Sequence, residues 1–375
     1  MDIKEFGVER WMDTYEDHCE LNLAETCVDS LHMHELLAIS GRGDAIMAEL
    51  QALKLTYGAI EGSNRLRDQV ASLFTSQTRE NVSIAHGAAG ANTLVYETLV
   101  NAGDHVISFV PAYQQHYSIP ESYGARVERL ELREDNGYLP DLDRLRAMVT
   151  PTTRLIVFSN PNNPTGSLMD EAMLRSIVEI ARPVGAWVLS DEVYRGIDLE
   201  GSGFTTSMAD LYEQGISTGS MSKAYSLAGL RLGWIVGPVS LIRDVTVHRH
   251  YSTISVGMMD DLFASIALEH RDAILARNRG ILRGNLALLD AWIAADPGLS
   301  YVKPKSGTTA LVKYDVAIPS YELCVRLVNE VGVMFTPGSV MEMEGHVRVG
   351  YANAPRNLEV GLPRVSEFLT TLRAS

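Results

Sequence analysis

The run Ser220-Met221-Ser222-Lys223-Ala224-Tyr225, followed by Gly229-Leu230-Arg231, places an amine among small hydroxyl groups and a guanidinium. Two chemistries suit that set. Lys223 could form a Schiff base with a carbonyl cofactor whose phosphate binds beside it. Alternatively, Ser220-x-x-Lys223 matches the serine–lysine pattern of acyl-serine hydrolases, with Lys305-Ser306-Gly307 as its distal partner. The hydrolase pattern also needs a Ser-x-Asn-like triplet between Lys223 and Lys305, and none occurs there. Its serine should also open a helix, not end a strand. Taken alone, a lysine is most often a solvated surface group.

Other clusters narrow the choice. Asn160-Pro161-Asn162-Asn163-Pro164-Thr165-Gly166 reads as a rigid turn after an apolar run, and Ser190-Asp191-Glu192-Val193-Tyr194 closes another. A carboxylate at the inner end of a buried strand costs on the order of several kcal/mol unless a cation meets it. A pyridinium nitrogen is such a cation. Asp191 would keep it protonated, so that the ring accepts electrons from a carbanion at a substrate Cα. Asn163 and Tyr194 are of types that hydrogen-bond the phenolic oxygen of such a ring. His86-Gly87-Ala88-Ala89-Gly90 joins a strand to a helix through small residues, leaving backbone N–H groups and the helix dipole free to hold an anion. By itself that loop would be an ordinary tight turn.

In this order the motifs resemble those of the fold-type I pyridoxal-phosphate enzymes, specifically the class I/II aminotransferase family, from about Tyr57 to Ala352. The resemblance implies pyridoxal 5′-phosphate held as an internal aldimine on Lys223, which then moves the proton between substrate Cα and the cofactor. It implies Asp191 on the pyridine nitrogen, Tyr194 and Asn163 on the phenolic oxygen, and Tyr113 stacked on the ring. The amides of Ala88 and Ala89 and the side chains of Ser220, Ser222 and Arg231 would take the phosphate. Tyr57, in Leu55-Thr56-Tyr57-Gly58, matches a tyrosine that reaches the phosphate of the neighbouring subunit, which implies a homodimer. Arg348, in His346-Val347-Arg348-Val349-Gly350, matches the arginine that grips the substrate α-carboxylate, a bidentate fork that selects the bond to be broken.

One segment departs from the family. Many aminotransferases carry a Gly-x-Pro turn in the N-terminal lid, whereas here the stretch is Leu21-Asn22-Leu23-Ala24-Glu25-Thr26-Cys27. This stretch, Val8-Glu9-Arg10-Trp11-Met12 before it and Pro304–Ala310 are more similar to capreomycidine synthases and related arginine-handling enzymes. Those relatives use the same cofactor for elimination and cyclisation. Glu25 then either faces a cationic substrate side chain or is an ordinary surface glutamate of the lid. The leading expectation is an aminotransferase working between an L-amino acid and a 2-oxo acid. The alternative is a pyridoxal-phosphate lyase, cyclase or oxidase acting on an amino acid, including arginine-derived ones. A non-catalytic binding protein is a third class, disfavoured by the intact Lys223, Asp191 and Arg348.

These residues need a scaffold. Asn81–Ala85, His105–Val110, Arg154–Ser159, Ala186–Asp191, Ile216–Ser220 and Leu232–Val236 read as buried strands, with helical patterns at 63–75, 89–101, 141–149 and 170–182 between them. Asp170 suits the cap of the last helix. The alternation predicts an α/β large domain, residues 46–279, with a mostly parallel sheet covered by helices. Ligands of such sheets sit beyond the carboxyl ends of the strands, where the chemical clusters fall. Residues 1–45 and 280–375 form an N-terminal arm and a smaller α+β domain, with a helix at 280–295, strands at Tyr301–Val302, Thr309–Tyr314, Val333–Phe335 and His346–Tyr351, and a helix at 320–331.

Bulk properties fit. Of 375 residues, 46% are apolar and 21% charged, as in a globular protein with a large core. A formal net charge of −15 argues against nucleic acid as partner. No apolar run is long enough to span a membrane, and the acidic first twenty residues are unlike a signal peptide. Cys19, Cys27 and Cys324 lack metal-type spacing and point to a reducing, cytoplasmic compartment. His32-Met33-His34 and His248-Arg249-His250 lack the carboxylate or cysteine spacing of a metal site, so none is expected.

Overall fold

The computed structural model describes residues 2–201 and 203–374. Its main sheet contains β1 (Val82–Ala85), β2 (His105–Val110), β3 (Arg126–Glu131), β4 (Thr153–Ser159), β5 (Trp187–Asp191), β6 (Gly215–Ser220) and β7 (Gly233–Val236). Their order across the sheet is β1-β7-β6-β5-β4-β2-β3. Strands β2 to β6 run parallel, while β7 is antiparallel to both β6 and β1. Six strands lie where the apolar runs place them, each end within one residue. The seventh, β3, is Arg-Val-Glu-Arg-Leu-Glu at the sheet edge, where only Leu130 is buried. An edge strand with one solvated face carries no continuous apolar run, so periodicity did not reveal it.

Alternating side chains of the central strands pack to opposite faces. Ile156 and Phe158 join Ile107, Phe109 and Val188 beneath helices Leu142–Met148 and Glu171–Ala181. Leu155 and Val157 join Val106, Leu189 and Ile216 beneath helices Gly87–Leu99 and Val239–His250. Asp170 caps Glu171–Ala181, its carboxylate accepting from the Met173 amide at 2.8 Å. Because both faces are covered, the strand backbones are dry and rigid, and their carboxyl ends are fixed points.

A second, four-stranded antiparallel sheet has the order β10-β11-β9-β8, from β8 (Leu299–Tyr301), β9 (Thr309–Tyr314), β10 (Thr336–Pro337) and β11 (His346–Gly350). The N-terminal arm packs on this unit: Leu21–Asn22 pairs in parallel with Val333–Met334, and the Gly350 amide donates to the Leu23 carbonyl at 2.7 Å. The helix expected over 280–295 begins earlier, so that Arg271–Ala295 runs unbroken past residues 279 and 280. Helices at Gly7–Tyr15, Met33–Ser40, Gly43–Ala52, Gln115–Ser122 and Met258–Glu269 had no counterpart in the sequence reading. Among the described residues, no helix is long and apolar enough to cross a membrane, and no cluster of metal-type ligands forms.

Since β7 reverses between β6 and β1, the ends of β1, β4, β5 and β6 all fall on one edge. There Gly233 faces both Ala85 and Ser220. A Cβ on Gly233 would stand 2.5 Å from the Gly87 carbonyl carbon and 2.7 Å from the Ala88 nitrogen. Glycine is thus required where two backbones meet. We expect Gly233→Ala to lower unfolding stability by about 1–3 kcal/mol through overpacking. Thermal denaturation measures this, and the loss should exceed that of Gly280→Ala, a glycine of the Arg271–Ala295 helix with open space around it and no positive φ.

Candidate active site

The strand ends open into a cavity of about 300 Å³ lined by Ala88, Ala89, Asn92, Tyr113, Ser159, Asn163, Asp191, Tyr194, Ser220, Ser222, Lys223, Arg231 and Arg348. Val8, Glu9, Met12 and Glu16 of the N-terminal helix and Ala24–Cys27 of the arm complete it. Of the residues that the family resemblance assigns to cofactor or substrate, Tyr57 is the one not brought here. It is 79% exposed, beside the equally exposed Leu55. A larger cleft of about 750 Å³ lies between Arg129 and His346, but its guanidinium is already paired with Glu121 and Glu342.

Asp191 is the buried anion at the floor. Strand register sets it beside Ser159 on β4 and Thr218 on β6. Its carboxylate accepts from Asn92 Nδ2 at 3.0 Å and the Val193 amide at 3.3 Å. His116 Nε2 lies 3.5 Å away, but burial pushes that imidazole down to about 3, so it is neutral. Tyr96 Oη is 2.7 Å from His116 Nδ1, and Ser159 Oγ is 3.1 Å from Nε2. All groups are satisfied when Tyr96 donates to Nδ1 and the Nε2 hydrogen faces Ser159 and Asp191. Among the described residues no charged group pairs directly with Asp191, and burial raises its pKa to about 6 despite the Asn92 and Val193 hydrogen bonds and the Lys223 charge. Its neighbour Glu192 points to the other face and is spent structurally on Ser207, Met208 and Ser217.

Lys223 Nζ donates to Thr26 Oγ1 at 2.5 Å and to Cys27 Sγ at 3.3 Å, with Glu25 Oε1 at 4.0 Å. Burial opposes its charge, but Cys27, Tyr194 and Glu25 around it raise its pKa above the ordinary value. Burial would likewise raise Glu25, yet Lys223 and the Cys27 and Thr26 amides hold it down. Arg348 is buried. Its Nη1 donates to Asn163 Oδ1 at 3.3 Å, its Nη2 to the Ala24 carbonyl and Thr336 Oγ1 at 3.1 Å each, and its Nε has no partner. Tyr113 Oη donates to Glu9 Oε1 at 3.1 Å.

The serine–lysine hydrolase reading fails on this geometry. Ser220 ends β6 and accepts from the Ser222 amide, Lys223 turns to Thr26, and Ser306 donates to Asp198. Pyridoxal phosphate fits. The uncompensated carboxylate of Asp191 suits a pyridinium. The first turn of the Gly87–Leu99 helix, with Gly87 at φ +66°, faces Ser220, Ser222 and Arg231, and Arg231 makes no ion pair among the described residues. The unpartnered Arg348 Nε suits a carboxylate.

Sequence reading missed Asn92, Tyr96 and His116 behind Asp191. Asn92 lies four residues after Ala88, on the same helix face, and His116 three after Tyr113 at a helix start. Such spacing was the available signal. Thr26, Cys27, Glu9 and Glu16 come from the arm, where the resemblance pointed to the lid stretch but singled out Glu25 alone.

A family model, aminotransferase class I and II, matches residues 42–363. The chain is 31% identical over 324 residues to capreomycidine synthase of Streptomyces vinaceus, covering 86% of this chain and 83% of that protein. It is 26% identical over 334 residues to an arginine–pyruvate transaminase of Pseudomonas aeruginosa, covering 86% and 84%. The crystal structure of a PLP-dependent aminotransferase from Streptococcus suis superposes with a TM-score of 0.96 at 42% identity, over 99% of both chains.

The uncompensated Asp191 gives a pH test. With its pKa raised from 3.8 to about 6, the folded protein without cofactor carries no penalty below pH 4, a growing one between 4 and 6, and the whole of it above 6, about 3 kcal/mol. Asp191→Asn without cofactor should therefore gain stability over wild type as pH rises through that window. Urea titrations at pH 4 and pH 8 measure the difference; equal offsets at both would contradict the assignment.

Proposed function

The chain belongs to the aminotransferase class I and II family, and from that premise we propose how its residues divide the work of moving an amino group between an L-amino acid and a 2-oxo acid with pyridoxal 5′-phosphate. The observation that carries the assignment is the convergence of Lys223, Asp191 and Arg348, distant in sequence, on one cavity.

Bound pyridoxal phosphate supplies an electron-accepting ring conjugated to the substrate nitrogen. Lys223 is the residue that holds it through Nζ, and the same amine takes the proton from the substrate Cα. Asp191 stays ionised at the ring nitrogen, kept in place by Asn92 and His116. Tyr194 and Asn163 would meet the phenolic oxygen and Tyr113 the ring face. The Ala88 and Ala89 amides, Ser220, Ser222 and Arg231 would take the phosphate. Arg348 is free to offer its Nε edge to the α-carboxylate, orienting the Cα–H bond toward Lys223. Tyr57, exposed as Leu55, Ile60 and Tyr251 also are, would complete the site of a second copy in a homodimer. We assign residues 46–279 to the cofactor-binding domain, 1–45 and 280–375 to the arm and small domain, and the protein to the cytoplasm.

For the substrate side chain, we propose a cationic group. Glu9, Glu16 and Glu25 line the same cavity, and Glu16 is raised by burial and by Glu25, Asp17, Glu9 and Asp13, a repulsion that a cation relieves. The relative named for arginine and pyruvate supports this choice. A second reading, elimination or cyclisation of an arginine-derived amino acid without an oxo-acid acceptor, is favoured by the 31% identity to capreomycidine synthase.

A panel of L-amino acids, with and without 2-oxoglutarate or pyruvate and with products identified by mass spectrometry, separates the two readings. Product that needs the oxo acid supports transamination; product without any acceptor discards it. Lys223→Ala should lose the absorbance of lysine-linked cofactor, and a retained band would refute its assignment. Arg348→Ala should raise KM for every amino acid. Glu25→Gln should lower kcat/KM for arginine-like substrates relative to neutral ones by on the order of tenfold, about 1.4 kcal/mol.

A further inference from the structure

We propose that Thr26 and Cys27 are positioning residues for the Lys223 amine: they accept its two N–H bonds when it is not joined to cofactor, and so aim its lone pair at the substrate Cα. The proposal rests on the role of Lys223 given above.

A neutral primary amine has two N–H bonds and one lone pair, and free rotation about the Cε–Nζ bond leaves the lone pair undirected. Here two acceptors stand within hydrogen-bond reach of Nζ, Thr26 Oγ1 at 2.5 Å and Cys27 Sγ at 3.3 Å, both on the arm side of the cavity. With both N–H bonds held there, the remaining tetrahedral direction is the lone pair, and it points away from the arm. Such fixed orientation is what distinguishes a competent general base from a merely nearby amine.

The acceptors are themselves anchored. Glu25 Oε1 accepts from the Thr26 amide at 2.6 Å and the Cys27 amide at 2.7 Å, and Asn22 Oδ1 accepts from the Ala24 and Glu25 amides. Thr308 Oγ1 donates to the Thr26 carbonyl at 2.8 Å, and Arg348 to that of Ala24. The turn thus ties the base to the residue proposed to hold the substrate carboxylate. In the proton transfer the Cα–H bond breaks, its electron pair stays with the substrate carbon, and the proton joins the Nζ lone pair to give an ammonium. Of the three N–H bonds then present, the new one alone is unheld, and it is the one returned to the substrate framework.

Thr26→Val removes the hydroxyl and keeps the backbone contacts. In the holoenzyme we expect kcat to fall about tenfold or more with KM within about twofold, and the isotope effect on kcat with Cα-deuterated substrate to rise. Thr26→Ser should restore both, and Cys27→Ala should show a smaller effect of the same kind. In the cofactor-free protein, the pH midpoint of Lys223 reductive methylation, read by peptide mass spectrometry, should fall in Thr26→Val and recover in Thr26→Ser, because the ammonium has lost an acceptor. An unchanged isotope effect together with an unchanged midpoint overturns the proposal. Borohydride reduction of the holoenzyme checks the premise separately: cofactor fixed on any peptide other than that of Lys223 would remove it.

Discussion

A carboxylate buried without a direct ion-pair partner, Asp191, organises this molecule. Asp191 closes a central strand whose flanks are both covered by helices, so solvent is kept away and only the more distant Lys223 charge offsets its burial. Folding tolerates this because Asn92, the Val193 amide and the neutral His116 surround it with dipoles. Such a group is a poor contributor to stability and a good one to recognition. Above its raised pKa the ionised group carries a burial cost that a buried cation relieves.

The rest of the cavity follows from the sheet. Strands β4, β5 and β6 deliver Ser159, Asp191 and Ser220 to neighbouring positions, and the reversed β7 brings Gly233 close enough to seat the Gly87–Ala89 turn against them. Backbone packing, more than side-chain choice, sets the distance between the anion-binding turn and the floor. The second sheet supplies Arg348 from β11, and the arm supplies the turn opposite Lys223.

Much of this was legible before any fold was known. The buried strands announce themselves because residues packed on both faces must be apolar without interruption, as in Thr153–Ser159. The candidate residues Asp191 and Ser220 stand out because each sits where such a run ends. Three things were hidden, each for a physical reason. The edge strand Arg126–Glu131 is mostly solvated. The Tyr96–His116 pair behind Asp191 consists of residue types that, singly, are more often plain core. The arm residues reach the cavity only through tertiary contacts, Leu21–Asn22 on Val333–Met334 and Leu23 on Gly350. Tyr57 marks a further boundary: it stays exposed and lies outside the cavity that the other candidate residues line.

The hydrogen bond from Lys223 to Thr26 joins two halves of the molecule. Lys223 follows a strand of the seven-stranded sheet, whereas Thr26 is stitched through Thr308 to the four-stranded one. The hydrogen bond that would orient the amine therefore depends on both sheets being seated together. The arm thus makes the proposed orientation of that nitrogen a property of how the two sheets pack, and not of the strand that carries it.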